Sequence, residues 1–406
     1  MKSERWMRGL DRPILMIPGP TEVPWRVIRA MAQPAMVQYE PAFDLEVLEA
    51  TLLDLRRVFQ TEHEIFAVPG SGRTALETSA LSVIEPGDRV VVVVAGSFGL
   101  LMREIMRRAG AEVTEVAVEW GRPLDLEALE RTVEAVRPKA LTLVHNETST
   151  GATYPAEAVG ALAARHGALF LLDTVSSLAG LDIPTDAWGI DLNMTGSQKC
   201  LAMPLGLALI AVSPRAFETM ARRARPALSY SYDLHRWLTQ WVPAERGGGV
   251  PPEGKRRQPV SIPTHLVQAL QEATKLILEE GMPHRVRRHR IASRAFRAGA
   301  AALKLDLFPD PAIASDTVSC LRVLPGVGAP ALVRRMREAY GVAITTGLER
   351  LRDTAVRVGI MGITASPHYV LPTLSALGMA LRDLGQPVDP GEGLAAAQAV
   401  FDAEAP

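Results

Sequence analysis

Short apolar runs that each stop at a polar or glycine-rich turn, with helical stretches between them, constrain this chain more than any other feature. Residues 90–95 run into Gly96-Ser97-Phe98-Gly99, and 140–145 run into Asn146-Glu147-Thr148-Ser149-Thr150-Gly151. Residues 168–173 end at Asp173 and lead to Thr174-Val175-Ser176-Ser177, and 65–68 precede Pro69-Gly70-Ser71-Gly72-Arg73-Thr74. Runs of this kind read as strands buried on both faces. The intervening segments 75–84, 100–109, 125–136 and 156–166 read as helices, and 112–118 as a further strand. Strands alternating with helices give an α/β fold, a parallel sheet with helices on both faces. Ser71, Phe98, Thr148, Asp173 and Lys199 all stand at or just after a strand end. Open parallel sheets bind ligands beyond the carboxyl ends of their strands, so these signals converge on one rim.

The stretch Thr195-Gly196-Ser197-Gln198-Lys199 lies between the apolar runs 168–173 and 205–212. A lysine there is costly unless it has a task or a partner. In a partly dry pocket its amine has a lowered pKa and condenses with an aldehyde to a Schiff base. Asp173 then suits a pyridinium nitrogen, which needs a fixed anion. Taken alone, the pair reads equally as a surface lysine in a Gly-Ser loop and an aspartate capping a helix. Gly70-Ser71-Gly72 after a strand offers free amides and a hydroxyl to an anion, or is a tight turn with a Ser cap. Phe98 between glycines either lies against a planar ligand or is core. Gly19, within Pro18-Gly19-Pro20, permits close approach of another group in an otherwise stiff arm.

Beyond residue 222 the character changes. Residues 222–258 read as a long irregular connection, with the basic cluster Lys255-Arg256-Arg257 as a solvated loop or an anion contact. Helices are expected over 46–59, 266–280 (ended by Gly281) and 286–303. Strands at 318–323, 342–345 and 354–359 alternate with helices at 329–340 and 367–384, a smaller α/β domain. Arg357 sits in the last of those strands. It suits bidentate carboxylate binding, or a salt bridge across the domain interface.

Composition narrows the function classes. The chain has 406 residues, 48% of them apolar, 22% charged, with a net charge of −1. That is globular and argues for neither nucleic acid nor a membrane surface. Two cysteines, Cys200 and Cys320, form no disulfide framework and no metal-ligand spacing, which points to a reducing cytoplasm. Met1-Lys2-Ser3-Glu4-Arg5 is charged and precedes no apolar core of a signal peptide.

Taken together, Pro18-Gly19-Pro20, Gly70-Ser71-Gly72-Arg73 with Glu77, Glu147-Thr148-Ser149-Thr150-Gly151, Asp173-Thr174-Val175, Gly196-Ser197-Gln198-Lys199 and Arg357-Val358-Gly359-Ile360-Met361-Gly362 resemble the class V (fold type I) pyridoxal-phosphate aminotransferases. The resemblance is to the alanine–glyoxylate, serine–pyruvate and ureidoglycine–glyoxylate group and runs from about Ile14 to the C-terminus. It implies a large domain with a mostly parallel seven-stranded sheet and a smaller C-terminal domain. We expect an arm over 1–25, the large cofactor-binding domain over 26–285 and the small domain over 286–406.

The resemblance also implies roles. Lys199 bonds the pyridoxal 5′-phosphate aldehyde and later shuttles a proton, and Asp173 pairs with the ring nitrogen. Phe98 stacks on the ring, Val175 packs its other face and Thr148 reaches its hydroxyl. Ser71, Gly72, Arg73 and Gln198 hold the phosphate, with Ser261 supplied by a partner subunit of a homodimer and Gln258 standing where relatives carry Tyr. Arg357 binds the substrate carboxylate, with Gly19 and Thr148 nearby. Gln38, with Glu119-Trp120-Gly121, is similar to the ureidoglycine–glyoxylate enzymes, where a Gln reads the ureido group. The substrates implied are a small amino acid (alanine, serine or ureidoglycine) and glyoxylate or pyruvate. The alternatives are a pyridoxamine–pyruvate-type aminotransferase, against which Ser71 and Leu348 argue, and a lyase or desulfurase on the same fold, which needs a mobile cysteine.

Overall fold

A computed structural model describes residues 12–404. The charged start of the chain and most of the first half of the expected arm therefore lie outside the described residues. Seven strands build the main sheet: β1 (Glu64–Gly70), β2 (Arg89–Val94), β3 (Glu112–Ala117), β4 (Ala140–Val144), β5 (Leu169–Asp173), β6 (Leu192–Gly196) and β7 (Gly206–Val212). Their order is β1-β7-β6-β5-β4-β2-β3. β7 alone runs antiparallel to its neighbours. Every residue of β4, β5 and β6 is buried, which is why these strands read as unbroken apolar runs.

Register decides where the functional residues arrive. Gly70 pairs with Gly206, and Gly196 pairs with Ala208 two residues further along β7. Asp173 pairs with Met194 and with Val144. The carboxyl ends of β1, β4, β5 and β6 thus share one edge. Helices α1 (Gly72–Val83) and α2 (Ser97–Arg108) open directly from the ends of β1 and β2. Phe98 consequently sits in the first turn of α2 and not in a loop before it.

Helices α3 (Thr264–Glu280) and α4 (Met282–Ala302) meet at Gly281, whose φ of +79° caps α3. A second, smaller core then forms around Phe296, Leu332, Val356 and Leu377. Its sheet is β8 (Val318–Arg322), β9 (Thr345–Thr346) and β10 (Ala355–Gly359), ordered β8-β10-β9 and antiparallel. The segment before the Pro-Gly-Pro turn belongs to this core: Met16 is fully buried in it, and Gly359 donates its N–H to the Met16 carbonyl at 2.8 Å.

Several segments differ from the sequence reading: the strand expected over 342–345 is split, with Val342–Ala343 pairing Ile14–Leu15 and Thr345–Thr346 pairing β10. The stretch 222–258 is not wholly irregular, because it holds a helix over Leu234–Gln240 capped by the Asp233 carboxylate. That helix buries Trp237 against Phe66 and leads to Trp241, which is also buried. Seven residues are too few for periodicity to stand out. A C-terminal helix, Pro390–Ala403, packs on α4 through alanine and glycine, whose weak apolar signal hid it. Among the described residues no helix is long and apolar enough to cross a membrane.

The centre of the main sheet is expected to tolerate truncation poorly. Phe170→Ala in β5, where the ring is fully buried, should cost about 3–5 kcal/mol. The shift in the denaturant midpoint measures it, and a loss below about 1 kcal/mol would contradict the packing described.

Candidate active site

The β6–β7 connection fixes the lysine. Ser197 donates its hydroxyl to the Pro204 carbonyl at 2.7 Å and accepts the Leu207 N–H at 3.2 Å, which closes the loop. The Lys199 carbonyl accepts the Ala202 N–H at 2.8 Å, and the side chain turns inward with 9% of its surface exposed. Its Nζ donates to the Pro18 carbonyl. A Cβ at Gly19, where φ is +95°, would stand 2.5 Å from the lysine side chain, so only glycine fits there. Burial, and then the Arg357 guanidinium, lower the amine to a pKa of about 8.

Asp173 ends the neighbouring strand. Its Oδ1 accepts the Val175 N–H at 2.8 Å. Burial raises its pKa to about 7 against that hydrogen bond, with the Glu147 carboxylate adding to the rise. Val175 packs on Gly72: a Cβ on Gly72 would meet Val175 Cγ2 at 2.5 Å. Across the cavity, Phe98 is anchored through its backbone. Its N–H and that of Gly99 donate to Glu147 Oε2 at 3.2 and 3.1 Å. The Ser149 hydroxyl donates to the same carboxylate at 2.5 Å. Glu147 is wholly buried, and burial raises its pKa although these donors pull the other way. Sequence reasoning gave Glu147 no role; set among Asn146, Thr148 and Ser149 it looks like one more polar residue of the turn.

The N-terminal amides of α1, at Gly72 and Arg73, have no carbonyl a turn before them to bond. The Arg73 side chain stands exposed at the cavity mouth and has no acidic partner among the described residues. Gln198 places a buried side-chain amide beside them with its oxygen unpartnered, and rotation of that amide offers an N–H₂ donor instead. Arg357 arrives from the second core. Its Nε donates to the Thr346 carbonyl at 3.0 Å and one terminal nitrogen to the Thr148 carbonyl at 3.2 Å. It pairs with no carboxylate among the described residues, so the salt-bridge alternative is not what the fold builds. The Thr148 hydroxyl donates to Ser176 Oγ at 2.8 Å.

These residues line one cavity of about 340 Å³. Gly19, Ser71, Gly72, Arg73, Phe98, Thr148, Asp173, Val175, Gln198, Lys199 and Arg357 all reach it. Leu348, Thr345 and Asn146 also line it without having been singled out as contacts. Gln38 and Ser261 do not line it. Gln38 instead accepts the Ile262 N–H at 3.1 Å, and Gln258 donates to Asp44 Oδ1 at 2.8 Å and to the Gln38 carbonyl. Cys320 is buried in β8 opposite Arg357, with its thiol pushed up to about 12 by burial. It has neither the exposure nor the acidity of a catalytic thiol. Among the described residues no cluster of His, Cys, Asp or Glu is arranged to hold a metal.

Comparison with known proteins gives a consistent set of relatives. A family model described as "Aminotransferase class-V" matches residues 18–247. The chain is 32% identical to the (S)-ureidoglycine–glyoxylate transaminase of Bacillus subtilis, with 97% of each chain covered. It is 32% identical to the serine–glyoxylate aminotransferase of Arabidopsis thaliana, over 97% of this chain and 96% of that one. The solved structure of the ureidoglycine–glyoxylate aminotransferase from Bacillus subtilis superposes with a TM-score of 0.90 at 33% identity, over 96% of this chain and 98% of that one.

In the cofactor-free protein the Lys199 amine is expected to titrate near pH 8, well below the ordinary lysine value of 10.5. The sign follows: the folded pKa is lowered, so the stability contributed by this group rises as pH climbs from about 8 to about 10.5. NMR titration of the ¹³C-dimethylated protein, with the resonance assigned by its loss in Lys199→Ala, measures the midpoint. A midpoint above about 10 would deny the lysine its dry surroundings.

Proposed function

We propose, from the premise that the chain belongs to the class-V aminotransferase family, that it moves the amino group of alanine, serine or ureidoglycine onto glyoxylate or pyruvate, with pyridoxal phosphate as cofactor. The observation that carries the reading is the meeting of Lys199, Asp173 and Arg357 on one cavity, the first two from the main sheet and the third from the second core.

The residues fit the cofactor. Val175 and Phe98 stand on the cavity wall, and the α1 amides, Arg73 and Gln198 form a donor set suited to a phosphate. Bound there, pyridoxal phosphate supplies an electron-withdrawing ring that takes up the charge left when a Cα proton departs. Asp173, with Oδ1 fixed by Val175, holds its remaining oxygen as the anion for a protonated ring nitrogen. Such a cation also reverses the rise in pKa that burial imposes on it. The Lys199 amine, neutral in a growing fraction above about pH 8, takes the proton at the substrate Cα and returns it on the other side of the reaction. Arg357 grips the substrate carboxylate with the guanidinium edge left after its two carbonyl bonds, and so aims Cα at the lysine. Gly19 lets the chain pass close by. Thr148 holds a hydroxyl at the same wall.

The same reading makes the active unit a homodimer. Gln38, Gln258 and Ser261 gather in one cluster away from their own chain's cavity. Tyr39 and Tyr230 lie exposed, each adjoining that cluster or the segment that precedes it, as surface that a second copy would cover. Ser261 then belongs to the phosphate end of the partner's site. Sedimentation showing a fully active monomer would rule this out.

A donor panel with glyoxylate as acceptor tests the substrate class, and Arg357→Lys tests the geometry. Lysine keeps the charge but loses the fork. With a charged hydrogen bond worth roughly 1.5–3 kcal/mol, kcat/KM should fall about 10- to 100-fold for both alanine and glyoxylate. An amine lacking a carboxylate should be almost indifferent. Equal losses for both kinds of donor would instead make Arg357 a structural residue.

A further inference from the structure

Between the two cores lies a half-buried ionic cluster whose members do not line the cavity. Glu280, the last residue of α3, accepts from Arg285 at 2.6 Å and from Arg288 at 2.7 and 3.2 Å, both on α4. Each arginine spends its other nitrogens on backbone carbonyls. Arg285, 4% exposed, donates to the Ala179 carbonyl at 2.8 Å and to the Cys200 carbonyl at 2.5 Å. Arg288 donates to the Gly362 and Ala365 carbonyls at 2.8 and 2.7 Å. His289 completes the set. It joins the Arg285 carbonyl through Nδ1 at 2.8 Å and accepts the Gly362 N–H on Nε2 at 2.9 Å, which requires the neutral ring with its proton on Nδ1.

The gripped carbonyls are not arbitrary. Cys200 immediately follows Lys199. Gly362 lies three residues beyond the end of β10, which carries Arg357. The turns themselves are strained: Ala179 and Ala202 are non-glycine residues with φ of +62° and +55°. Such conformations persist only where the surroundings over-determine them. Thr21 ties the same two turns a second time, donating its hydroxyl to the Met361 carbonyl at 3.0 Å and its N–H to the Gln198 carbonyl at 3.2 Å.

We infer that Glu280, Arg285 and Arg288 are positioning residues that set the span between Lys199 and Arg357. Arg285 holds the lysine turn, Arg288 holds the turn behind the substrate arginine, and the Glu280 carboxylate makes the two move as one. A substrate carboxylate held by Arg357 is thereby kept at a constant reach from the Lys199 amine. A displacement of the order of 1 Å at either end costs roughly 100-fold in rate. The inference rests on the reading of Lys199 and Arg357 given above.

The variants are Glu280→Gln, Arg285→Lys and Arg288→Lys, with two readouts. One is the Lys199 titration in the cofactor-free protein, which involves neither cofactor nor turnover. The other is kcat and KM for alanine and glyoxylate on the loaded enzyme, with Tm recorded alongside. We expect the Lys199 midpoint to move by at least about half a pH unit in Arg285→Lys and Glu280→Gln. We expect kcat/KM to fall about tenfold or more in all three, with kcat carrying most of the loss. A lowered Tm with the parent's lysine midpoint and the parent's kcat/KM would make the cluster structural only and overturn the inference. A moved midpoint with unchanged kcat/KM would overturn the link to Arg357. Should Arg285→Lys fail to fold, Glu280→Gln and Arg288→Lys, whose altered side chains are partly exposed, carry the same test. Retention of turnover by Lys199→Ala would sink the functional reading, whereas the cofactor-free titration would still judge the cluster.

Discussion

A buried lysine amine and a buried carboxylate share one cavity, and neither is paired with the other by a direct hydrogen bond. Asp173 is pushed up to about 7 and Lys199 down to about 8, burial being the first cause in both. The raised aspartate means that its contribution to stability declines as pH rises from about 4 to about 7. The lowered lysine means that its contribution recovers only above about 8. Near neutrality the cofactor-free fold therefore carries both penalties at once. A ligand that brings a cation to Asp173 and takes up the lysine amine removes both. Binding and stability are linked through the same two groups.

The rest of the molecule keeps those groups dry and aimed. β4, β5 and β6 are buried along their whole length, so packing on both faces fixes where the strand ends lie. Glu147 extends that rigidity to the aromatic wall. It accepts amides from the first turn of α2, where the helix dipole favours an anion, and so sets Phe98 through the backbone rather than through ring packing. Its negative charge also bears on Asp173 and Arg357. A residue that never lines the cavity thus acts on three that do.

What the sequence made legible follows from range. Lys199, Asp173, Thr148 and Phe98 were found because each terminates or follows an apolar run, and the parallel topology carries such ends to one rim. Strand bounds over 90–95 and 140–145 were off by a residue or so, because burial continues into the turn. The role of Glu147 was hidden, since its partners lie about fifty residues away in sequence. Gln38 was read as a substrate contact from local likeness. Its side chain is committed to the Ile262 backbone 224 residues on. No pattern in either segment alone reports that pairing. The helix at Leu234–Gln240 was missed for a different reason: its signal is Trp237 and Trp241 at i and i+4, legible only once both are known to be buried.

Arg357 shows why the two cores must meet at this place. A guanidinium that is 7% exposed and has no acidic partner among the described residues is held by two carbonyl dipoles alone. Such a cation would be expensive as a purely structural element, because a well-packed apolar residue in β10 would serve the second core as well or better. Its uncompensated charge favours an anion that arrives from outside. The cavity that would admit that anion is lined by Lys199 as well. Under the proposed function, one small carboxylate would satisfy an arginine on one core and present its neighbouring carbon to a lysine on the other, which ties the reaction to how the two cores are joined. The joint accordingly adds hydrogen-bonded charges with defined directions to apolar contacts such as those of Val318 and Met361, which alone would hold the cores together without fixing their distance.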